Sequence, residues 1–266
     1  MNKQGQTGKT RQWGLILGAS SGMGLATAKK MSENGYGLIL VHRDRKSELP
    51  GIHTAFEALK ASGCPIHHFN QDAIMDTNRL DLVDKLQQLL PKDEKIRILV
   101  HSIAKGNLKP MHAERGGIEN ADFQLTLNAM ALSLYDWTMS LLSANLLDSD
   151  SRVISFTSEG NTKVWAGYGA VSAAKVTLEA ISRQMAVELA PHGIKVNCIQ
   201  AGVTDTPSLR MIPGSELLLE NARKRNPQGR LTQPEDVANV VYLLSTEEAS
   251  WITGTVIKVD GGESLR

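Results

Sequence analysis

This 266-residue chain has only two cysteines, no long apolar runs and almost equal numbers of basic and acidic side chains. The two cysteines, Cys64 and Cys198, lie in unrelated contexts, and no secretory apolar segment opens the chain, so we expect a cytoplasmic protein without disulfides. No apolar run approaches the roughly 18 residues of a membrane-spanning helix, and no membrane partner is expected. The 29 basic and 28 acidic side chains contain no basic block, which argues against nucleic acid as a partner. The seven histidines show no metal-ligand spacing, and no metal is predicted.

Short apolar segments alternate with helical patterns along the chain. We expect strands at residues 13–17, 37–41, 66–69, 96–100, 153–156, 194–199 and 255–259. Helices are expected at residues 23–34, 78–90, 121–146, 168–190 and 234–244. This order predicts an α/β fold with one domain over residues 12–266, a doubly wound Rossmann-type sheet of about seven parallel strands in three αβα layers. The polar residues 1–11 are predicted to be a flexible tail.

A glycine-rich turn follows the first predicted strand directly. Glycines there let backbone N–H groups and the helix N-terminus approach a pyrophosphate without interference from a Cβ. The strand–turn–helix context favours a dinucleotide site over a tight turn without a ligand. The predicted contacts in this turn are Gly18, Ser20, Ser21, Gly22, Met23 and Gly24.

The end of the second predicted strand indicates which cofactor is bound. An acidic residue there would bond the ribose hydroxyls and repel a 2′-phosphate. This strand instead ends in His42 and Arg43, and the guanidinium of Arg43 offers a planar donor fork suited to phosphate. NADPH is therefore the predicted cofactor, although Asp44 comes next and an exposed charged loop is the alternative.

Tyr168 precedes Lys175 by seven residues, and Val171 stands four before the lysine. Both spacings are close to whole helical turns, so tyrosine and lysine share a helix face. We expect the lysine charge to lower the pKa of the Tyr168 phenol and to ease proton donation. The alternative is a packing aromatic residue beside a solvated helix charge.

These motifs resemble the short-chain dehydrogenase/reductase superfamily, most closely the NADPH-dependent enoyl-acyl carrier protein reductase III subgroup. The common members have tyrosine four before lysine, whereas this subgroup pairs the spacing of seven with a serine, here Ser158, and the ordinary glycine loop. The resemblance implies that Tyr168 is the acid and that Lys175 binds the nicotinamide ribose. It implies that Asn128 kinks the long helix and holds a proton-relay water, the alternative being an ordinary helix-interior asparagine. Ser158 is either a substrate hydrogen-bonding group or a polar residue at a strand end.

The same resemblance places further residues against the cofactor. It implies contacts from Asp72, Ala73, Ser102, Ile103, Ala104, Gly202, Thr204 and Thr206, in addition to His42 and Arg43. His101 is given no proton-transfer role. Residues 207–225 carry many apolar side chains, so they form either a mobile segment that closes over an acyl chain or a surface helix.

The resulting hypothesis is NADPH-dependent reduction of the 2,3 double bond of a trans-2-enoyl-acyl carrier protein, a step of fatty acid elongation. The rivals are a 3-oxoacyl or other carbonyl reductase and a non-catalytic NADP(H)-binding regulator. Val171 argues against the first, because a hydrocarbon cannot donate a proton. The predicted helices at residues 121–146 and 168–190 carry more apolar residues than one sheet-facing stripe requires. The resemblance implies that they pack against symmetry mates in a homotetramer, with a dimer as the fallback. The alternative is that both helices bury these residues against their own sheet.

Overall fold

One parallel sheet organises the computed structural model, which describes residues 10–266. Within that range the strands are β1 (Gln12–Leu17), β2 (Gly37–His42), β3 (Ile66–Asn70), β4 (Lys95–His101), β5 (Leu147–Ser158), β6 (Lys195–Ala201) and β7 (Val256–Val259). Every neighbouring pair is parallel, and the order across the sheet is β3-β2-β1-β4-β5-β6-β7. The order reverses direction between β1 and β4, which confirms the doubly wound sheet. Residues 1–9 of the predicted tail lie outside the described part of the chain.

Helices cover both faces of this sheet. They are α1 (Gly22–Glu33), α2 (Leu49–Leu59), α3 (Asp76–Leu89), α4 (Asn120–Leu127), α5 (Ser133–Ser143), α6 (Gly169–Glu188), α7 (Pro207–Arg210), α8 (Ser215–Arg225) and α9 (Pro234–Ser245). Because side chains alternate along a strand, Leu15 and Leu17 pack on the face covered by α3, α5 and α6, whereas Ile16 packs against α1, α2 and α9. The two apolar clusters are the two interfaces of a three-layer structure. No helix of the described residues is both long and apolar enough to cross a membrane.

The predicted helix at residues 121–146 is interrupted. Between α4 and α5 lies a π turn, Asn128–Leu132, so the helix departs from regular α geometry at the position where the kink is expected. The hydroxyl of Ser133 donates to the carbonyl of Ala129 at 2.8 Å, and His101 Nε2 lies 2.8 Å from the same hydroxyl. A π turn widens the helix by one residue, and this side-chain bridge ties the widened turn to the end of β4.

The carboxyl ends of β1, β4, β5 and β6 meet at one edge of the sheet. The turns that follow these strands, together with α6, α7 and α8, surround a cavity there. Binding sites of doubly wound sheets occupy this edge, where the strand order reverses.

Candidate active site

The cavity at the carboxyl edge has a volume of about 940 Å³. Thirteen of the predicted site residues line it: Gly18, Ser21, Gly22, Met23, Ser102, Ile103, Ala104, Ser158, Tyr168, Lys175, Gly202, Thr204 and Thr206. The predicted residues outside its lining are Ser20, Gly24, His42, Arg43, Asp72, Ala73 and Asn128. Tyr168 and Lys175, the predicted catalytic residues, therefore share one space with the glycine turn.

The glycine turn is shaped by close backbone approaches. Gly18 has φ +84°, and a Cβ there would lie 2.2 Å from the carbonyl oxygen of Ser102. A Cβ on Gly24 would lie 2.0 Å from the carbonyl oxygen of Gly18, so Gly24 packs the helix onto the turn and does not face the cavity. No side chain caps the start of α1 at Ser21, and its first turn holds no acidic residue. The N–H groups at the mouth of α1 thus suit a pyrophosphate.

Charged side chains gather beyond the ends of β2 and β3. Arg43 Nη1 donates to Asp72 Oδ2 at 2.6 Å, and Lys105 Nζ lies 3.5 Å from the same oxygen. Burial alone would raise the pKa of Asp72, but the N–H of Ile74 and the guanidinium of Arg43 lower it below its usual value. Asp44 lies 2.8 Å from His42 Nδ1, whereas the Arg43 side chain is 60% exposed. The Arg43 side chain is therefore accessible at the end of β2 while one of its nitrogens pairs with Asp72.

Ala73 and His42 are buried beneath that end of the sheet. The carbonyl of Ala73 accepts a hydrogen bond from Trp137 Nε1 at 2.8 Å, so this oxygen is already engaged with α5. His42 Nε2 is buried and has no hydrogen-bond partner among the described residues. Because the His42 side chain is 0% exposed, any contact of His42 with a cofactor would be through its backbone.

Tyr168 stands at the N-cap of α6, and Lys175 lies two turns along that helix. Lys175 Nζ is buried and donates to the carbonyl of Phe156 at 2.6 Å. Burial lowers the pKa of Lys175 to about 8, partly opposed by the Cys198 thiol and the Glu179 carboxylate. Burial also raises the pKa of the Tyr168 phenol, and Ser158 lowers it in part. The prediction that Lys175 lowers the pKa of Tyr168 is wrong in this structure, because the ammonium group is turned to Phe156 and burial dominates at the phenol.

Ser158 is the last residue of β5 and lies against the tyrosine. Its buried Oγ has no hydrogen-bond partner of standard geometry among the described residues, although it is close enough to influence the pKa of Tyr168. A Cβ on Gly160 would lie 2.4 Å from Tyr168 Cε1, so the backbone after β5 packs directly on the ring. Ser158 also lines the cavity, so a polar atom bound there could become the hydrogen-bond partner that this hydroxyl lacks.

His101 and Asn128 do not take part in this constellation. Burial and the nearby charge of Lys175 lower the pKa of His101 to about 3, so its imidazole is neutral. Asn128 begins the π turn with its side chain exposed. Asn128 is not among the residues that line the cavity, whereas Met130 of the same turn lines it. A relay role for Asn128 stays a prediction.

Leu108, Met130 and Trp165 line the cavity without any local sequence signal, whereas Val171 and residues 207–225 are indicated by the sequence. The apolar wall comes from scattered positions, namely Leu108, Met130, Trp165, Val171, Leu209, Met211, Ile212 and Leu218. The last four belong to residues 207–225, so this segment forms a wall of the cavity. Glu159, Arg225 and Glu263 supply charges from three distant parts of the chain. The described residues contain no cluster of side chains suited to a metal ion.

The sheet, the glycine turn and the Tyr168–Lys175 pair define a nicotinamide-dependent oxidoreductase. The chain belongs to the short-chain dehydrogenase/reductase superfamily, because the family model described as enoyl-(acyl carrier protein) reductase matches residues 18–264.

Relatives in this superfamily act on several thioesters. A hydroxy(phenyl)methylsuccinyl-CoA dehydrogenase subunit from Thauera aromatica is 28% identical over 261 residues, 94% of this chain and 96% of the relative. The 1-cyclohexenylcarbonyl-CoA reductase of Streptomyces collinus is 28% identical, over 98% of this chain and 90% of that protein. The crystal structure of an NADH-dependent enoyl-acyl carrier protein reductase from Aquifex aeolicus superposes with a TM-score of 0.80 at 26% identity, over 96% of this chain and 97% of that one.

Proposed function

We propose that this protein uses NADPH to reduce the 2,3 double bond of a trans-2-enoyl thioester carried on acyl carrier protein, as in cytoplasmic fatty acid elongation. The observation that carries the proposal is the position of Tyr168. Its ring lies in the cavity beside Ser158, while buried Val171 occupies the position four residues before Lys175. The acid thus stands about one helical turn from the position that suits a ketone.

The displaced acid matches the distribution of charge in an enoyl thioester. Bound NADPH supplies a hydride, which in this reaction goes to the β carbon. Negative charge then develops on the thioester oxygen, two carbons further on, and a donor is useful only where that charge appears. In a ketone the same charge appears next to the carbon that accepts the hydride. A tyrosine set back along the helix therefore favours the conjugated substrate.

The side chains of the site take separate roles. The raised pKa of Tyr168 keeps its hydroxyl protonated at neutral pH, so it is a hydrogen-bond donor to the thioester oxygen. Lys175, with a pKa of about 8, is mostly protonated at neutral pH and is placed to bind the nicotinamide ribose hydroxyls. Ser158 offers its unpartnered hydroxyl to the same oxygen. The α carbon is protonated from solvent.

Arg43 supports the choice of NADPH over NADH. Its guanidinium is accessible at the end of β2, and neighbouring Asp44 is engaged with His42. Lys105 adds a second positive charge near the same oxygen of Asp72. Two cations around one carboxylate leave a net positive charge, which favours a cofactor with an additional phosphate.

Exposed apolar side chains support a homotetramer. Leu125, Leu132 and Tyr135 on α4, the π turn and α5, and Val176 on α6, are each more than 40% exposed in the single chain. Exposed apolar groups on adjacent helices are typical of subunit contacts. A dimer through these helices is the smaller assembly that satisfies the same observation.

Carbonyl reduction is the second candidate, and Ser158 is the observation that favours it. A free hydroxyl beside the acid could orient a ketone oxygen as well as a thioester oxygen. NADPH oxidation should therefore be followed with crotonyl and acetoacetyl thioesters side by side, and the products identified by mass spectrometry. We expect the crotonyl thioester to give the butyryl product at the higher kcat/KM. A preference for the acetoacetyl thioester, giving a 3-hydroxybutyryl product, would replace the proposal by its rival.

A further inference from the structure

A network of charged side chains joins three separate walls of the cavity. Arg225, the last residue of α8, donates from Nη1 and Nη2 to Glu159 Oε2, each at 3.1 Å. Its Nη2 also donates to Glu263 Oε1 at 2.6 Å. Lys163 Nζ lies 2.6 Å from the other oxygen of Glu159. The network holds two cations and two carboxylates, so it is electrically balanced.

Glu159, Arg225 and Glu263 each belong to a different part of the site. Glu159 directly follows Ser158, the hydroxyl beside the acid. Arg225 ends the segment at residues 207–225 that forms the apolar wall. Glu263 lies in the segment after β7, and its second oxygen accepts the N–H of Val203 at 3.0 Å. Val203 stands between Gly202 and Thr204 in the turn that faces the cofactor half of the cavity.

The Glu263 carboxylate therefore connects two parts of the cavity. One is the turn after β6 that contains Gly202, Val203 and Thr204, here called the cofactor turn. The other is the apolar wall formed by residues 207–225, here called the substrate wall. Its side chain is 3% exposed, and one oxygen serves the backbone of the turn while the other serves Arg225. Burial raises the pKa of Glu263, and the N–H of Val203 and the charge of Arg225 oppose that effect. A buried carboxylate keeps its charge only where such donors are fixed around it. The position of α8 and the conformation of the turn that contains Val203 consequently depend on each other.

The residue after Arg225 strengthens this connection. Asn226 is buried, and its Nδ2 donates to the carbonyl of Asp260 at 2.9 Å. Asp260 in turn accepts the N–H groups of Gly262 and Ser264, at 2.9 and 3.2 Å. The segment that carries Glu263 is thus held both by its own turn and by the end of α8.

We propose that Glu263 is a positioning residue for the cofactor turn, and that Arg225 couples this turn to the substrate wall so that cofactor and acyl thioester bind with positive cooperativity. The coupling rests on the proposed function, because it requires a thioester to occupy the apolar half of the cavity. The positioning role of Glu263 requires only that the cavity binds a nicotinamide cofactor. The two parts can be tested separately.

The positioning role is tested by cofactor affinity alone. Val203 and Arg225 donate to different oxygens of Glu263, and glutamine at position 263 has a donor NH2 group in place of one of them, so one of the two donors would face another donor. Glu263→Gln should therefore weaken NADPH and NADH by about the same factor, on the order of 10-fold for a charge-assisted contact. Dissociation constants would be measured from cofactor fluorescence, with circular dichroism to establish folding. An unchanged affinity for both cofactors would overturn the positioning role.

The coupling is tested by measuring NADPH affinity with and without the butyryl thioester, which cannot be reduced further. In the wild type we expect the thioester to tighten NADPH at least 5-fold, within the range of about 5- to 150-fold for coupled sites. The coupling ratio is the NADPH dissociation constant without the thioester divided by that with it. Arg225→Gln should reduce this ratio towards one. Arg225→Lys keeps the charge but not the planar donor fork, so it should fold and still show a ratio close to one. Arg223→Gln removes a charge from an exposed position of the same helix and should leave the ratio unchanged.

A ratio that stays at its wild-type value in the Arg225 variants, or one near unity in the wild type, would overturn the coupling. If Arg225→Gln does not fold, Arg225→Lys decides by the same criterion. Failure of the wild type to reduce the crotonyl thioester would refute the proposed function instead. The Glu263→Gln comparison would still decide the positioning role.

Discussion

The buried ammonium group of Lys175 should destabilise the protein at neutral pH. Burial lowers the pKa of this lysine from 10.5 to about 8. The folded state therefore releases the proton at a lower pH than the unfolded state does. Between about pH 8 and pH 10.5 the unfolded chain binds more protons, and stability must rise with pH across that window. Below pH 8 Lys175 is charged in both states, and the full destabilisation is present.

Lys175→Met removes the titrating group and keeps a side chain of similar length. The difference in unfolding free energy between wild type and variant should shift by about 2–3 kcal/mol in favour of the wild type from pH 7 to pH 10, since each pKa unit corresponds to about 1.4 kcal/mol. The variant also loses the hydrogen bond to Phe156. Lys175 donates the hydrogen bond to Phe156 whether its amine is charged or neutral. Losing this bond in the variant therefore changes the unfolding free energy by nearly the same amount at every pH, and the predicted pH-dependent shift remains.

Urea unfolding at fixed protein concentration, at pH 7, 8, 9 and 10, measures this shift. Lys85→Met is the matched control, because Lys85 is exposed and pairs with Asp81 one turn away, and its difference from the wild type should stay almost constant. A wild-type to Lys175→Met difference that does not change with pH would show that Lys175 keeps its ordinary pKa when folded. The reasoning from burial would then be refuted. Reductase activity should be lost in this variant at every pH.

Further predictions follow from individual contacts. Tyr168→Phe should lower enoyl thioester reduction by about 10²–10⁴-fold, the range for a lost acid or oxyanion contact, with NADPH affinity unchanged, and full activity would contradict its role. Arg43→Ala should weaken NADPH about 10- to 150-fold and NADH little, whereas equal losses in titrations of both would argue against phosphate recognition. Gly24→Ala forces a Cβ to 2.0 Å from the Gly18 carbonyl oxygen and should destabilise the protein by about 1–3 kcal/mol in urea unfolding, unlike Gly51→Ala, where a Cβ meets nothing within 4 Å. Sedimentation should show a tetramer, and a monomer of 28.9 kDa at micromolar concentration would contradict the assembly.

The sheet can be predicted from the sequence because most of its strands are continuous apolar runs. The full length of one strand cannot, because its first half contains polar residues. The strand expected at residues 153–156 extends over Leu147–Ser158. Its early part contains Arg152, which is fully buried because its guanidinium pairs with Asp150 and donates to the carbonyl of Leu244. Hydropathy places such a residue outside a strand, since the ion pair that permits its burial comes from the tertiary structure.

Helix α2 is not among the helices expected from the sequence, for a different reason. Its first turn contains Pro50 and Gly51, which are typical of a loop. Proline is tolerated near the start of a helix, where its missing N–H would have had no partner. The buried residues Ile52, Phe56 and Leu59 follow the spacing i, i+4, i+7, so a helical signal was present behind the loop-like start.

Within the site, predictability depended on sequence distance. The glycine turn and the Tyr168–Lys175 pair each lie within one local element, so chemistry imposes a spacing that can be read directly. Arg225 contacts Glu159 and Glu263 at separations of 66 and 38 residues. Only the fold brings these charges together, and no local pattern indicates them. The protonation states of Tyr168 and Lys175 likewise depend on burial, which spacing does not reveal.

The π turn makes the length of this part of the chain as important as its composition. Each residue of an α-helix turns the chain by about 100°. Because the π turn takes up one extra residue, deleting one residue from Asn128–Leu132 would let α4 and α5 run on as a single regular helix, with Trp137 still facing the carbonyl of Ala73. Inserting one further residue would instead rotate every later side chain by that angle and take Trp137 away from this carbonyl. This segment should therefore tolerate the deletion of a single residue better than the insertion of one.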